Sequence, residues 1–422
     1  MAAPPPSSCD VAVIGAGAAG LMAAVFAGRS GARVTVLEST RQGGKKIVVS
    51  GGGRCNVLPS VADDRLFVTA SSRRLLARIL DSWPLPQQRV FFEDDLGVPL
   101  ALEPETGKLF PASNRATDVR GALVDAAHRA GADLRFSTPV ASVEPTPPAS
   151  VDAGGHPWTV TTRDGATLLA RSVVVATGGL SVPKTGSDGF GFRLAEGLGH
   201  RVEAVYPALA PLTAEPAPHA DLAGVAVADA QVRVPLSKGA FETSGGFLFT
   251  HRGYSGPSVL NVSHLTALGA ASGDRPEVRV SWLDRDADAW ASDLTAPGPG
   301  LVATALRQDL PARLADRLLA DADVPADRNR ADLRRDERLR LLDALTAYPL
   351  PWTGDEGYKK AEVTGGGVNL GEVSPGTLES RRHPGLYFAG EVLDAFGPIG
   401  GYNFLWAWAT GRLTGLAAAR PS

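Results

Sequence analysis

The chain has 422 residues, 44% hydrophobic and 21% charged, which is typical of a globular protein with two or three domains. Its net charge of −3 and its scattered basic residues give no nucleic-acid footprint. Two cysteines, Cys9 and Cys55, exclude a disulfide framework and a C-x-x-C dithiol mechanism, and they favour a reducing compartment. Because no leader-like start and no apolar run of bilayer length occurs, we expect a cytoplasmic protein without a membrane anchor.

Residues 11–38 are typical of a strand, a glycine turn, a helix and a second strand. The turn has the spacing G-x-G-x-x-G at Gly15, Gly17 and Gly20, and the second strand ends at Glu38. Such glycines make a tight turn, let the backbone approach a pyrophosphate and let the helix pack on the strand. The helix start attracts phosphate, and Glu38 is placed to accept hydrogen bonds from a ribose. The stretch predicts a dinucleotide site and leaves FAD and NAD open, whereas Glu38 would repel the phosphorylated ribose of NADP.

The next feature is a glycine-dense loop in which residues 50–56 read SGGGRCN. Backbone N–H groups, a guanidinium, a thiol and an amide follow one another there and could line a cofactor. Beyond it, the patterns predict two helices (71–83 and 118–129), a strand (134–143), a surface loop (144–157) and a hairpin (158–169). The apolar strand 171–177 runs into Gly178-Gly179. Strand ends of this kind are where ligands lie in open α/β sheets.

The pattern changes at about residue 206, where short alternating strands begin (225–234, 246–250 and 277–283), followed by helices (301–322 and 333–346). At about residue 358 the α/β pattern returns, and a strand ends at Gly390-Glu391. Gly400-Gly401-Tyr402-Asn403 then opens a helix over 404–419, a second place for an anion or a polarised carbonyl. We therefore predict a discontinuous α/β nucleotide-binding domain (1–205 and 358–422) with an inserted substrate or cap domain of strands and helices (206–357).

Eight motifs in order resemble the aminoacetone-oxidase-type, BaiN-like family of bacterial flavoproteins: GAGAAG (15–20), SGGGRCN (50–56), ATGG (176–179), TGSDGFG (185–191), FLFTHRGYSGPSVL (247–260), EVTGGGVNLGEV (362–373), GLYFAGEVLD (385–394) and GGYN (400–403). The resemblance extends from about residue 10 to 418. It implies a Rossmann-type FAD-binding fold and an oxidoreductase. The last helix departs from the family because it carries Trp406 and Trp408, so the substrate of relatives does not transfer.

The resemblance implies an extended, non-covalently bound FAD, with its pyrophosphate on the glycine turn and its adenosine ribose on Glu38. Residues 54–56 are expected near the middle of the cofactor or the flavin, and Glu391 near the ribityl chain or the pyrophosphate. The helix start at Gly401 would face the flavin N1/O2 edge, where a positive dipole stabilises the reduced flavin. The implied FAD-binding residues are Gly15, Gly17, Ala18, Ala19, Gly20, Glu38, Ser39, Lys45, Arg54, Cys55, Asn56, Val140, Ala176, Thr177, Gly178, Gly390, Glu391, Gly401, Tyr402 and Asn403. No metal site is predicted.

A single dinucleotide motif leaves no dedicated NAD(P) domain, so NAD(P)H would visit the flavin transiently as a co-substrate. The leading hypothesis is an FAD-dependent oxidoreductase that exchanges a hydride at flavin N5 with a small organic substrate, with O2 or NAD(P)H as the other partner. We expect neither a nucleic-acid nor a membrane partner, and the oligomeric state stays open. A flavin-dependent RNA-modifying enzyme and a non-catalytic redox sensor are the alternatives.

Catalytic candidates are His251 and Tyr254, on a loop that the family places over the flavin, and Cys55 beside Arg54. Arg252 is a candidate for holding a substrate carboxylate. The alternative interpretations are a structural histidine, a tyrosine at a core edge and a packed cysteine.

Overall fold

The structure, a computed structural model, describes residues 7–147, 155–295 and 300–420. Residues 148–154 of the predicted surface loop therefore lie outside the described residues. The chain divides into two compact units. The first contains the chain up to Val205 and from Val363 onward, and the second is Tyr206–Glu362. Residues 358–362, which the sequence pattern assigned to the first unit, belong to the second.

The strands, in chain order, are β1 (Ser7–Ile14), β2 (Val34–Leu37), β3 (Leu58–Pro59), β4 (Leu100–Glu103), β5 (Lys108–Pro111), β6 (Asp133–Arg135), β7 (Val140–Pro145), β8 (Trp158–Thr162), β9 (Thr167–Val175), β10 (Val202–Ala208), β11 (Leu212–Thr213), β12 (Ala226–Pro235), β13 (Ala240–Phe249), β14 (Gly253–Ser255), β15 (Arg279–Ser281), β16 (Tyr348–Pro349), β17 (Gly354–Asp355), β18 (Val363–Val368) and β19 (Leu386–Phe388).

The helices are α1 (Ala18–Arg29), α2 (Lys45–Val49), α3 (Arg73–Leu80), α4 (Leu85–Val90), α5 (Ala116–Arg129), α6 (Phe190–Gly197), α7 (Pro257–Ser272), α8 (Ala287–Thr295), α9 (Val302–Asp309), α10 (Ala312–Asp321), α11 (Arg335–Thr346) and α12 (Tyr402–Ala418). A membrane-crossing helix would have to be longer and more apolar than any that the described residues form.

A sheet with the order β6-β2-β1-β9-β8-β7 forms the centre of the first unit, and β19 pairs with the end of β9. Strands β6, β2, β1, β9 and β19 run parallel, with Val13 paired to both Val36 and Val174. Residues 11–14 of β1 and all of β2 are buried, which explains why residues 11–14 are a continuous apolar run and why β2 contains only one polar residue, the buried Thr35. The parallel arrangement brings the carboxyl ends of these strands to one edge.

The C-terminal helix α12 packs along α1 within this unit. A Cβ on Gly411 would lie 2.4 Å from the Ala19 carbonyl oxygen, and one on Gly415 would lie 2.4 Å from that of Ala23. These two glycines, one helical turn apart, let the helix backbones approach closely. The last segment of the chain therefore contributes directly to the nucleotide-binding fold.

The second unit is built on an antiparallel sheet with the order β16-β15-β12-β13-β14-β11-β17. Its core contains Trp282, Phe247 and Phe249, together with buried leucines from α9, α10 and α11. The ring of Trp282 lies 5.5 Å from that of Phe249 and 5.2 Å from that of Phe247. This core is separate from the one around β1 and β9.

Some predicted elements differ from the observed ones. The expected helix 301–322 is two helices, because Pro311 forces Leu310 into an extended conformation. The expected strand 134–143 is divided into β6 and β7. Helix α7 was not predicted, since its apolar residues surround the helix without forming one stripe.

Candidate functional site

The ends of four adjacent parallel strands form the edge where the predicted cofactor motifs lie. Glu38 follows β2, Gly15 follows β1, Gly178 follows the end of β9, and Gly390 follows β19. At the usual strand spacing of about 4.8 Å, the three steps from β2 to β19 span roughly 14 Å. An extended dinucleotide therefore has a continuous row of strand ends to lie across.

The three glycines of the first turn have different neighbours. Gly15 has φ +101°, and a Cβ on it would lie 2.6 Å from the Ala176 carbonyl oxygen. A Cβ on Gly20 would lie 1.9 Å from the Gly15 carbonyl oxygen, so both glycines are required by the protein itself. A Cβ on Gly17, by contrast, would meet no atom of the described residues within 4 Å. The space in front of Gly17, at the start of α1, fits a bound pyrophosphate.

The carboxylate of Glu38 is buried and held by the backbone. Its Oε2 accepts the Ala16 N–H at 2.8 Å, and its Oε1 accepts the Thr40 N–H at 2.8 Å and the Ser39 hydroxyl at 3.4 Å. One acceptor site on Oε2 receives no hydrogen bond from residues 7–147, 155–295 and 300–420, and it suits a ribose hydroxyl. The Thr138 N–H donates to the Glu38 carbonyl at 2.8 Å, and this brings the start of β7, with buried Val140, towards Glu38.

The remaining residues of this edge lie on both sides of the glycine turn. Ala18 and Ala19 form the first turn of α1, and Ala19 is buried. Ala176 donates its N–H to the Ile14 carbonyl at 2.9 Å, which ties the end of β9 to β1. Thr177 is half-buried, and Gly178 follows it with φ +70°.

The loop 50–56 and the start of α12 are brought together in the fold. With its amide oriented to satisfy both neighbours, Asn56 accepts the Gly401 N–H at 2.9 Å and donates to the Leu58 carbonyl at 3.1 Å. Gly401 has φ +94°, and a Cβ there would lie 2.5 Å from the Leu58 carbonyl carbon. Asn403 donates to the Gly397 carbonyl and accepts the Gly397 N–H, both at 2.9 Å.

Both asparagine amides thus hold loops in place, and the position of these residues near the cofactor, which the resemblance implies, stays a prediction. The first N–H groups of α12 have no acceptor within the helix, as in any helix start, and they are the groups there that suit a flavin carbonyl. Tyr402 is half-buried beside Phe67, at a ring distance of 5.9 Å.

Arg54 and Cys55 do not have the environment of a reactive pair. The Arg54 guanidinium pairs with Glu103 at 2.9 Å and lies 3.9 Å from the ring centre of Phe110. Cys55 is completely buried, and burial raises the pKa of its thiol to about 12. The thiolate form is therefore disfavoured at neutral pH, and Cys55 is a packed cysteine rather than the reactive thiol considered as a candidate.

Glu391 belongs to a hydrogen-bonded cluster that the sequence did not reveal. Its carboxylate binds the Lys46 ammonium at 2.6 Å, the Ser181 hydroxyl at 2.7 Å and the Thr364 N–H at 2.9 Å. Lys45 makes no side-chain hydrogen bond or ion pair among the described residues. The two lysines are adjacent on α2 and project about 100° apart around the helix, so the orientation of the helix decides which of them faces Glu391. The sequence carried no signal that would favour Lys46 over Lys45.

The candidate catalytic residues from the motif FTHRGYSG lie in the second unit. His251 is exposed in the turn between β13 and β14, and the neighbouring Arg252 pairs with Glu215 at 3.0 Å. Tyr254 is completely buried in the core, and its hydroxyl bonds to His219 Nδ1 at 2.8 Å. Burial raises the pKa of Tyr254, so it is a structural residue of this core rather than an accessible acid or base.

Comparison with known proteins agrees with this architecture. Residues 9–417 match the family model described as HI0933-like protein Rossmann domain. The chain is 33% identical over 409 residues to a ribosomal RNA dihydrouridine synthase of Escherichia coli, covering 95% of this chain and 96% of the relative. It is also 33% identical over 417 residues to a 3-dehydro-bile acid delta(4,6)-reductase of Clostridium scindens, covering 97% and 98%.

Solved structures with the same fold include 3-ketosteroid delta1-dehydrogenase from Sterolibacterium denitrificans. It is 14% identical, with a TM-score of 0.54 over 98% of this chain and 99% of that one. The 3-ketosteroid-delta4-(5alpha)-dehydrogenase from Rhodococcus jostii is 15% identical, with a TM-score of 0.52 over 98% and 97%. The row of strand ends, the open glycine turn and the match along almost the whole chain lead to one conclusion: this protein belongs to the HI0933-like Rossmann family of FAD-binding oxidoreductases.

Proposed function

We propose that this protein is an FAD-dependent reductase that saturates a carbon–carbon double bond conjugated with a carbonyl group, with NAD(P)H as the electron source. The observation that carries the proposal is the pair of full-length relatives at 33% identity. Dihydrouridine synthesis and reduction of a 3-dehydro-bile acid differ in substrate, but both saturate a ring double bond conjugated with a carbonyl. The reaction class is therefore better supported than any single substrate.

In this proposal the first unit holds the cofactor. The backbone at Gly17 and the start of α1 would bind the pyrophosphate, and Glu38 would bind the ribose. The start of α12 would hold the flavin carbonyl edge with its free N–H groups and its positive dipole. When bound, FAD supplies a hydride to the double bond, and the product also takes up one proton. The group that delivers this proton stays a prediction, and exposed His251 is its remaining candidate.

We place a small carbonyl compound first among the substrates. The second unit, which carries many arginines, neutralises most of them internally. Of the 14 arginines in this unit, nine form ion pairs at 4.0 Å or less with described residues: Arg233, Arg252, Arg279, Arg285, Arg307, Arg317, Arg328, Arg334 and Arg340. Together with the net charge of −3, this leaves little basic surface for a phosphate backbone.

A uracil base in ribosomal RNA is the second candidate, because two relatives of this chain, at 33% and 29% identity, bear the name ribosomal RNA dihydrouridine synthase. Uracil contains the same conjugated carbonyl unit, so the proposed chemistry is unchanged. Binding to rRNA that persists at about 150 mM salt, together with dihydrouridine formed in that rRNA, would favour this candidate over a small molecule.

The proposal is tested with purified protein reconstituted with FAD. We expect a yellow complex that NADH or NADPH reduces under anaerobic conditions. Subsequent addition of a cyclic enone should restore the oxidised flavin spectrum and yield the saturated ketone. A redox sensor would be re-oxidised by O2 but by no enone or rRNA. Failure to bind FAD at all would refute the proposal.

A further inference from the structure

We propose that Lys46 is a positioning residue of the FAD site, which holds the carboxylate of Glu391 in place and cancels its negative charge. The inference rests on the proposed FAD-dependent function. It concerns the cluster at the end of β19, formed by Lys46, Ser181, Thr364 and Glu391, which we call the Lys46 cluster.

The Lys46 cluster joins four separate segments of the first unit. Lys46 Nζ donates to Glu391 Oε2 at 2.6 Å and to Ser181 Oγ at 2.7 Å. Ser181 Oγ donates to Glu391 Oε1 at 2.7 Å, and the Thr364 N–H donates to the same oxygen at 2.9 Å. The Thr364 hydroxyl in turn accepts the N–H groups of Leu180 and Ser181 at 2.8 and 3.1 Å.

Counting donors and acceptors shows what the Lys46 cluster leaves available. Within the part of the chain that the structure describes, both lone pairs of Glu391 Oε1 are used, and one on Oε2 has no donor. Lys46 donates two of its three N–H bonds within the cluster. The pair therefore offers one acceptor and one donor side by side, which suits the hydroxyls of a ribityl chain better than a lone carboxylate does.

Burial makes the charge of Glu391 costly without Lys46. The side chains of Lys46 and Glu391 are only 26% and 16% exposed, and Ser181 and Thr364 are buried. Removing one partner of such a pair leaves the other charge poorly solvated. An unpaired carboxylate at this sheet edge would also repel the pyrophosphate of FAD and the negative charge of a reduced flavin.

The experiment compares FAD binding and the flavin midpoint potential in four variants: Lys46→Met, Lys46→Arg, Lys45→Met and the double variant Lys46→Met with Glu391→Gln. We expect Lys46→Met to weaken FAD binding at least tenfold. We expect the same substitution to weaken the binding of reduced FAD about tenfold more than the binding of oxidised FAD, which is equivalent to a midpoint potential about 30 mV lower. The double variant should recover most of both losses, because it removes the unpaired charge, and Lys46→Arg should retain binding.

Lys360→Met serves as the control for loss of one exposed lysine charge, and thermal unfolding without FAD checks that every variant folds. If the unsubstituted protein takes up no FAD, the proposed function fails. If it binds FAD and Lys46→Met binds equally well, the role of Lys46 is overturned. A larger loss in Lys45→Met than in Lys46→Met, or no recovery in the double variant, also overturns it.

Discussion

At the scale of single residues, the glycine turn after β1 contains two kinds of glycine: one that the fold requires and one that only a bound ligand would require. Gly20 is required because a Cβ would lie 1.9 Å from the Gly15 carbonyl oxygen. Gly17 has ordinary backbone angles and open space at its Cβ position. A methyl group at residue 17 would therefore disturb a bound pyrophosphate without disturbing the protein.

We predict that Gly17→Ala changes the free energy of unfolding by no more than about 1 kcal/mol and weakens FAD binding at least tenfold. Gly20→Ala should instead destabilise the protein by about 2 kcal/mol or more, because the helix must move away from the turn. Gly121→Ala is the matched control. Gly121 lies in α5 with no described atom within 4 Å of its Cβ position, so the substitution should lower neither the stability nor the FAD affinity. Urea unfolding measures the stability of these variants, and FAD titration measures their affinity. An FAD affinity in Gly17→Ala equal to that of the unsubstituted protein would contradict the assignment of the pyrophosphate site.

A buried histidine makes the second unit sensitive to acid. His264 in α7 is 3% exposed, and burial lowers its pKa from 6.5 to about 4. Below pH 6.5 the His264 side chain is protonated in the unfolded chain, whereas in the folded chain it stays neutral down to about pH 4. The free energy of unfolding therefore decreases as the pH falls through this range. The full loss corresponds to roughly 3 kcal/mol.

We therefore predict that the free energy of unfolding decreases between pH 6.5 and about pH 4, and that the decrease is smaller in His264→Gln. Urea unfolding at several pH values, followed by tryptophan fluorescence, measures this. An identical pH dependence in the two proteins would show that His264 does not contribute.

At the scale of elements, α12 is the piece that organises the flavin end of the predicted site. The two tryptophans that set this helix apart from the family pattern are both buried and hydrogen-bonded. Trp406 donates to the Gly390 carbonyl at 3.1 Å, and Trp408 donates to the Val57 carbonyl at 3.0 Å. One helix thus supports both the end of β19 and the loop after SGGGRCN. These aromatic residues are structural, so they do not by themselves indicate a different substrate.

We predict that Trp406→Phe destabilises the protein by about 1–3 kcal/mol, since it removes the donor to a buried carbonyl, and that it weakens FAD binding. Trp83→Phe is the control. Trp83 is a buried indole that makes no side-chain hydrogen bond among the described residues. Its replacement therefore reports the smaller ring and the weaker contact with the Arg412 guanidinium, which lies 5.3 Å from the ring centre, but no lost hydrogen bond. Thermal unfolding and FAD titration compare the stability and the FAD affinity of the two variants. Equal losses in Trp406→Phe and Trp83→Phe would argue against a role for the hydrogen bond to the Gly390 carbonyl.

At the scale of the whole molecule, the two units differ in continuity. The second unit is one uninterrupted stretch, Tyr206–Glu362, with its own hydrophobic core. The first unit is assembled from two stretches. Without the second stretch its sheet lacks β19, and α1 loses its close packing against α12. Many domains of this size that have their own core and a continuous chain fold alone.

We predict that a fragment of residues 206–362 folds cooperatively by itself, with near-ultraviolet circular dichroism from buried Trp282 and Trp290 and a single urea transition. A fragment ending at residue 205 should not fold, because it lacks β19 and α12. A structureless second-unit fragment would show that this core depends on the rest of the chain.

Local sequence patterns were sufficient to predict part of the secondary structure of this protein. The strand, glycine turn and helix at residues 11–29 involve neighbours within a few positions, so the motif and the periodicity predicted them directly. The same holds for the hairpin of β8 and β9. Helix α10 shows the limit of such patterns, because one proline divided a continuous apolar stripe.

The sequence by itself determined the dinucleotide-binding unit, the family and the order of the motifs, because these depend on residue type and spacing along the chain. Only the tertiary structure decided how the side chains are used. In the structure, Glu391 binds Lys46 rather than Lys45. The side chains of Asn56 and Asn403 hold loops by hydrogen bonds, and Tyr254 is buried beside His219. The physical reason is that the contacts of Glu391 with Lys46, of Asn56 with Gly401 and of Tyr254 with His219 join segments far apart in the chain. Their geometry depends on how strands and helices pack rather than on any local preference. The contact of Asn403 with Gly397 spans only six residues, but Gly397 lies in an irregular loop that no periodic pattern describes.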